Sequence, residues 1–522
     1  MKLSLMKRKY KNMVNTERRD SNKEIKLGAL VSYATIIFNI LAGLIYTPWL
    51  IRNIGQSDYG LFILSTSIIG FFAMDFGLDG AVSRFVSKYL AEDNINKAND
   101  FLGLIYRLFI IIDIATFIVL LIVFPFLENI YIQLTPLEIE KLKVLYIITG
   151  LVSVISFPFI PLNGILVSYE RFSFYKLTKF MHKVLVIVLM VVAINLGFGL
   201  YAVVLVNGFV VIVAIILKYR YIKRTTEIRV NIKYFSNEMF KQVIEFLMWS
   251  TVIILAERFI INITPTLLGA FTGSVQISIF SIGMTIEGYT YTFAQAINGL
   301  FLPKVSKMIA EKKELVDFEK LMVKVGRIQL FVSGIIIIGF IALGQEFIIL
   351  WVGEGFRNSY FVAVFLILPY IVSLTQEIAN TMLIAQNKVR YRAITTTISA
   401  VISIVLSVLL SPIYGAIGSA IAIFIGKIFG TVILMNIIYY KALKINIIQF
   451  FKECHFKVIL PLFIVCIAGM LCQYLLPTDH LLILMLKTCF LMLLYFVLLW
   501  LFSFNEYEKN LLLSFLRRDI SK

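Results

Sequence analysis

The chain has 522 residues, 60% of them hydrophobic, and a mean hydropathy of +0.89. No soluble domain hides that much apolar surface, so composition excludes a soluble globular fold and points to an integral membrane protein. The net charge of +18 would suit nucleic acid, but the basic residues sit in short segments between apolar stretches, where they set membrane orientation. No nucleic-acid partner is therefore expected.

Residues 1–26 form a polar tail with nine Lys/Arg, including Lys7-Arg8-Lys9-Tyr10-Lys11, whose contact with anionic lipid is a weaker reading than a topology anchor. The apolar stretch that follows is long and lacks a small-residue cleavage site, so it reads as a retained first helix rather than a signal peptide. A spanning helix needs roughly 20 apolar residues. In chain order, spans are expected at 27–51, 59–83, 103–126, 143–168, 177–196, 199–218, 245–268, 276–302, 328–350, 359–385, 393–411, 414–437, 457–476 and 481–502. The expected fold class is thus an all-α polytopic membrane protein with fourteen transmembrane helices. Gly and Pro punctuate the tight hairpins at Asn195–Gly199 and Ser411–Gly415.

With the N-terminus in the cytoplasm, 42 of the 49 Lys/Arg fall at the cytoplasmic side. Four fall outside (Arg52, Lys141, Lys143 and Arg357), and three lie within spans away from a cytoplasmic end (Arg258, Lys427 and Lys487). That bias predicts an even span number with both ends cytoplasmic.

Short matches recur at an offset of 216 to 219 residues: Ser87–Glu92 with Ser306–Glu311, Pro48 with Pro265, Asp100-Phe101 with Asp317-Phe318, Asn163 with Asn380, and Gly199 with Gly415. Their constant order implies a duplicated unit of six spans. An even number per copy means that both copies face the same way, related by an axis along the membrane normal. The expected organisation is a tail at 1–26, a first six-helix bundle at 27–218, a basic linker at 219–244 and a second bundle at 245–437. A loop with helices thirteen and fourteen follows at 438–502, and a cytoplasmic tail at 503–522.

A charge at mid-membrane costs about 2.5–3.5 kcal/mol on insertion scales, so each requires a reason. Arg258 and Lys427 are candidates to hold an anionic head group. Asp75, Glu287 and Glu377 are candidates to bind a coupling cation or proton. The opposing reading for each is a pairing that only holds helices together. For Lys487, Glu257 and Asp113 that structural reading is preferred, with Lys487 close enough to a span end to snorkel. Asp75 and Asp79, four residues apart, are expected on one face of one helix. The six acids singled out in spans exceed the three bases, which sits uneasily with a strongly anionic substrate.

The four cysteines and three histidines show neither a CxxC pair nor metal-ligand spacing, so no metal and no cofactor are expected. A coupling Na+ or H+ is the one small ion in view. No nucleotide-binding Gly-rich loop is present, and the acids of the longest outer loop, Glu128, Glu138 and Glu140, read as solvated charges.

Segment 48–92, with Pro48-Trp49, Ser57-Asp58-Tyr59-Gly60-Leu61-Phe62, Asp75-Phe76-Gly77-Leu78 and Arg84-Phe85-Val86, resembles the start of bacterial polysaccharide (O-antigen and capsule) flippases. These belong to the multidrug/oligosaccharidyl-lipid/polysaccharide exporter superfamily, and the stretch Asn380–Tyr391 is similar to the same family. The resemblance implies two bundles, alternating access around a central cavity, and a polyprenyl-pyrophosphate-linked oligosaccharide as substrate. It also implies residence in the bacterial cytoplasmic membrane, contact with membrane lipids and with polysaccharide polymerase machinery, and no enzymatic activity. The competing readings are a cation-coupled multidrug exporter of the same fold and a membrane polysaccharide polymerase or glycosyltransferase. The second of these would need a large outer loop that this chain lacks.

Overall fold

The computed structural model describes residues 34–298, 301–478, 480–506, 508–510 and 513. The basic tail at 1–26, the first residues of span one and the end of the C-terminal tail lie outside the described residues. Among the described residues, helices are the only regular secondary structure. Ten of them are long and apolar enough to cross a membrane. One, Val389–Leu443, is a run of 55 residues. At 1.5 Å per residue it would reach about 80 Å, far beyond a hydrocarbon core of about 30 Å. It turns back at Gly415 (φ 57°, ψ −135°), inside the hairpin expected between spans eleven and twelve. Helices Gln56–Phe72, Asn237–Phe271 and Ser274–Asn298 occupy the intervals expected for spans two, seven and eight.

The duplication is visible in the backbone. Left-handed φ values occur at Gly55 and Gly273, Asp93 and Lys312, Glu170 and Asn387, and Gly199 and Gly415, each pair separated by 216 to 219 residues. Span four is interrupted by a 3-10 turn at Phe157–Phe159 and span ten by one at Leu374–Gln376. The helices that follow, Pro161–Ser168 and Glu377–Ala385, match as well.

Two compact units divide the chain, residues 1–275 and 276–522. In the first, Asn237–Phe271 packs along Gln56–Phe72, which also lies against Pro136–Ser156. Its largest fully buried side chains include Phe101 and Phe109, which join Val82, Leu162 and Val243 in one apolar core. Helix Leu78–Ala91 lies tightly against Pro161–Ser168. A Cβ at Gly164 would meet the Val82 Cβ at 2.7 Å and the Asp79 carbonyl oxygen at 2.8 Å, so only glycine permits this approach.

In the second unit the long helix Leu315–Val352 carries Lys457–Leu475 and Leu481–Leu498, the C-terminal pair. Two buried ion pairs link them near opposite ends of that helix. Lys487 Nζ lies 3.2 Å from Glu346 Oε1 and also donates to Thr478 Oγ1 and the Leu476 carbonyl. Lys487 is paired, as the structural reading expects, but its side chain is only 3% exposed rather than snorkelled to the surface. Its partner Glu346 lies inside the interval of span nine and was not among the acids picked out in the sequence. At the other end Arg327 meets Glu508 at 2.6 Å and donates to the carbonyls of Glu453 and Ser503.

Removing one partner of a fully buried pair leaves an uncompensated charge and typically costs about 3–5 kcal/mol, whereas replacing both with apolar groups is often neutral. Arg327→Met should therefore lower the unfolding free energy in detergent by about that amount. The double change Arg327→Met/Glu508→Leu should restore most of it, as read by thermal unfolding of the purified proteins.

Candidate functional site

Span two is not one helix. Gln56–Phe72 ends, residues 73–77 leave helical geometry, and Leu78–Ala91 resumes. Phe76 (φ 52°) and Gly77 (φ 81°) both take left-handed conformations. This corrects the expectation that Asp75 and Asp79 share a helix face: Asp75 lies in the break and Asp79 in the first turn beyond it. The break survives in an apolar setting because side chains satisfy its freed carbonyls. Thr116 Oγ1 donates to the Phe72 carbonyl at 3.2 Å and Thr251 Oγ1 to that of Phe76 at 2.7 Å. Asp79 accepts from the Gly164 amide at 2.8 Å, which ties the two packed helices together. The half-buried Asp75 carboxylate has no hydrogen bond or ion pair among the described residues.

Arg258 lies near the middle of Asn237–Phe271 and is exposed. Leu247, Asn262 and Pro265 on the same side of the helix are buried, while Ile261 is exposed. The guanidinium has no ion pair or hydrogen bond among the described residues. The amide nitrogen of Asn262, one turn further on, is buried without an acceptor and lies against Gly70 of span two.

In the second unit, two residues assigned separate roles from sequence come together. Lys427 Nζ lies 3.0 Å from Glu287 Oε1, with both side chains less than one-fifth exposed. Tyr370 completes the cluster: its hydroxyl donates to Glu287, and Lys427 lies 4.6 Å above its ring. Tyr291 packs beside Tyr370 with ring centroids 5.6 Å apart. Three elements build this site. Helix Ser274–Asn298 carries Glu287, the short turn Tyr370–Ser373 after Pro369 carries the tyrosine, and Lys427 ends an α-helix that continues as π-helix over Ile428–Leu434. Such π segments often mark functional positions because they re-aim side chains. Tyr370 carries no sequence signal of its own, since one more aromatic residue within an apolar span is ordinary.

Glu377 is not part of that cluster. It opens helix Glu377–Ala385, where an acid suits the positive helix end, and accepts from Asn380 at 3.1 Å. Its neighbour Gln376 donates to Asn436 at 2.7 Å. This polar layer is built within span ten by the same interruption that follows from the duplication.

Two further acids depart from expectation. Asp113 is 9% exposed, yet its Oδ1 finds no hydrogen-bond partner among the described residues, so it is not a paired structural charge. Glu138 is not simply solvated. Its Oε2 closes a capping box with Thr135. Its Oε1 accepts from the hydroxyls of Ser57 and Ser274, each at 2.5 Å. Those serines are 217 residues apart and are repeat equivalents. No group of three or more His, Cys, Asp or Glu able to hold a metal ion occurs among the described residues.

Comparison with known proteins agrees with this architecture. The lipid II flippase MurJ in an inward-closed conformation superposes with a TM-score of 0.64 at 18% identity, covering 95% of this chain and 100% of its own. An inward-facing multidrug resistance MATE family transporter of the MOP superfamily gives 0.61 at 15% identity, covering 80% and 99%. A MOP superfamily transporter from Pyrococcus furiosus, described as having a binding pocket of reversed polarity, gives 0.55 at 15% identity, covering 82% and 96%. At these identities the likeness is one of fold. No protein of curated function matches the sequence significantly. The family model for polysaccharide biosynthesis proteins matches residues 26–309, more than half of the chain. This multi-pass membrane protein therefore belongs to the polysaccharide biosynthesis protein family.

Proposed function

We propose that the protein is a flippase that moves a lipid-linked oligosaccharide, carried on polyprenyl pyrophosphate, from the inner to the outer leaflet of the bacterial cytoplasmic membrane during cell-surface polysaccharide synthesis. It crosses the membrane fourteen times with both termini in the cytoplasm and works by alternating access. The observation that carries this reading is the Glu287–Tyr370–Lys427 cluster. A cation placed only to bind an anion would stand alone, and an acid placed only to bind a proton or Na+ would have no lysine. Together they form an exchange site. Protonation of Glu287 or binding of a cation there releases Lys427 for an anionic head group, and loss of that ion recaptures the lysine. This accounts for acids among the bases without requiring an uncharged substrate.

Arg258 and Asp75, both unpaired among the described residues of the first unit, serve the head group and the coupling ion respectively. Family membership supports a role in polysaccharide synthesis. The helix pair beyond the twelve of the two repeats supports a flippase over a multidrug exporter, because the superposed MurJ structure covers nearly the whole chain, whereas the MATE structure leaves a fifth of it unmatched. Drug efflux lost in a deletion strain whose surface glycan is unchanged would instead favour the exporter.

Three outcomes follow. Arg258→Ala should insert normally and lose at least nine-tenths of its flipping of a fluorescent lipid-linked oligosaccharide in proteoliposomes; wild-type flipping would remove Arg258 from the mechanism. Collapse of the ion gradient with ionophores should slow the same assay several-fold, and a rate independent of any gradient would refute coupling. Glu287→Gln and Lys427→Met should each destabilise the protein, with the double variant less affected than the sum. The coupling should be about 0.5–3 kcal/mol by double-mutant cycle, and strict additivity would show that the pair does not interact.

A further inference from the structure

The first unit holds a second concentration of charge that this mechanism does not use. Helix Phe172–Asn195 begins with Lys176, Lys179 and Lys183, spaced three and four residues apart and hence on one face. Lys176 and Lys179 flank the Tyr175 ring at 5.7 and 4.5 Å. The neighbouring helix Gly199–Thr225 contributes Lys218, which lies within electrostatic reach of Lys179 and Asp79. His182 lies within reach of Lys218 and Lys183. Five basic or titratable nitrogen groups therefore converge on one region of the first unit.

Too little negative charge is available there to balance them. Of the nearby carboxylates, Asp79 already accepts from the Gly164 amide, and Asp75 lies beyond it, so two acids face four lysines. Lys218 donates at 2.8 Å to the amide oxygen of Asn163, a neutral acceptor. Lys176, Lys179 and Lys183 make no hydrogen bond or ion pair among the described residues. Arg171, which caps the same helix, has a buried Nε without an acceptor. A lysine that only fixes topology needs water at a span end. Lys183 instead lies about 17 Å along its helix and is half-buried. Like charges held together in a partly desolvated place repel unless an anion joins them.

We propose that the basic end of spans five and six, formed by Lys176, Lys179, Lys183 and Lys218, is a binding site for a phosphate-bearing anion, either a lipid head group or free pyrophosphate. Lysine suits phosphate as a set of point charges around several oxygens. The Asn163 amide and the Tyr175 ring fix two of the ammonium groups around the site. The site stands independently of transport, since equilibrium binding tests it on the resting protein.

Two probes separate the sources. Inorganic pyrophosphate is titrated calorimetrically into the full-length protein in phosphatidylcholine nanodiscs, and phosphatidylglycerol retained by the protein is measured by native mass spectrometry. The wild type should bind at least one of them, and which one it binds identifies the source. Lys179→Gln/Lys183→Gln should weaken that binding at least tenfold, whereas Lys307→Gln/Lys313→Gln, on exposed basic residues elsewhere, should leave it unchanged. Should the double variant fail to fold, Lys179→Gln alone, at an exposed position, should still weaken binding at least threefold. Binding of neither probe by the wild type, or wild-type binding by the Lys179 variants, overturns the proposal.

Discussion

A chain that crosses hydrocarbon must satisfy its backbone polar groups from within, because no water is present to do so. Every irregularity in a spanning helix therefore needs a named partner, and the irregularities of this protein coincide with its chemistry. The break at 73–77 is held by two threonines from other helices. The turns at Phe157–Phe159 and Leu374–Gln376 each end at a polar layer that contains Asn163 or Asn380. The helix changes from α to π directly after Lys427, the residue that pairs with Glu287. Such features persist only where surrounding residues hold them in place.

The membrane also decides which features the amino-acid sequence makes legible. Hydrophobicity follows from the membrane itself, so the all-helical, membrane-crossing fold was legible. The duplication was legible too, and its offset returns in the paired left-handed residues. The break in span two was not, because hydropathy averages over a window wider than five residues and Asp75-Phe76-Gly77 lies in an apolar stretch. Turn chemistry gave the one available signal, since Gly77 permits a positive φ and Asp75, two residues earlier, favours turns. Glu346 was missed because a lone acid near a span end resembles an interfacial charge. Only the fold shows that Lys487, 141 residues later, reaches it.

The charges sort into three kinds once their partners are known. Arg327 with Glu508 and Lys487 with Glu346 are sealed pairs that anchor the C-terminal helices to span nine. Glu287 with Lys427 is a partly open pair that shares a tyrosine. Arg258 and Asp75 are unpaired among the described residues. Burial and pairing, rather than the mere presence of a charge in a span, separate scaffold from candidate machinery. The sequence alone could not make that division, because both kinds carry the same residue types at similar depths.

The two serines that share Glu138 carry a consequence for how such a chain evolves. Ser57 and Ser274 are equivalent in the two repeats, so the symmetry of the duplication would give each its own acid. Glu354 stands at an offset of 216 from Glu138 but is spent on Arg357 at 2.7 Å. One carboxylate serves both serines and its counterpart serves neither. Two separate, identical subunits could not keep that arrangement, because any change to one copy would be made to both. Fusion into a single chain removes that restriction. One half is then free to specialise as the acceptor while the other retains only the donor.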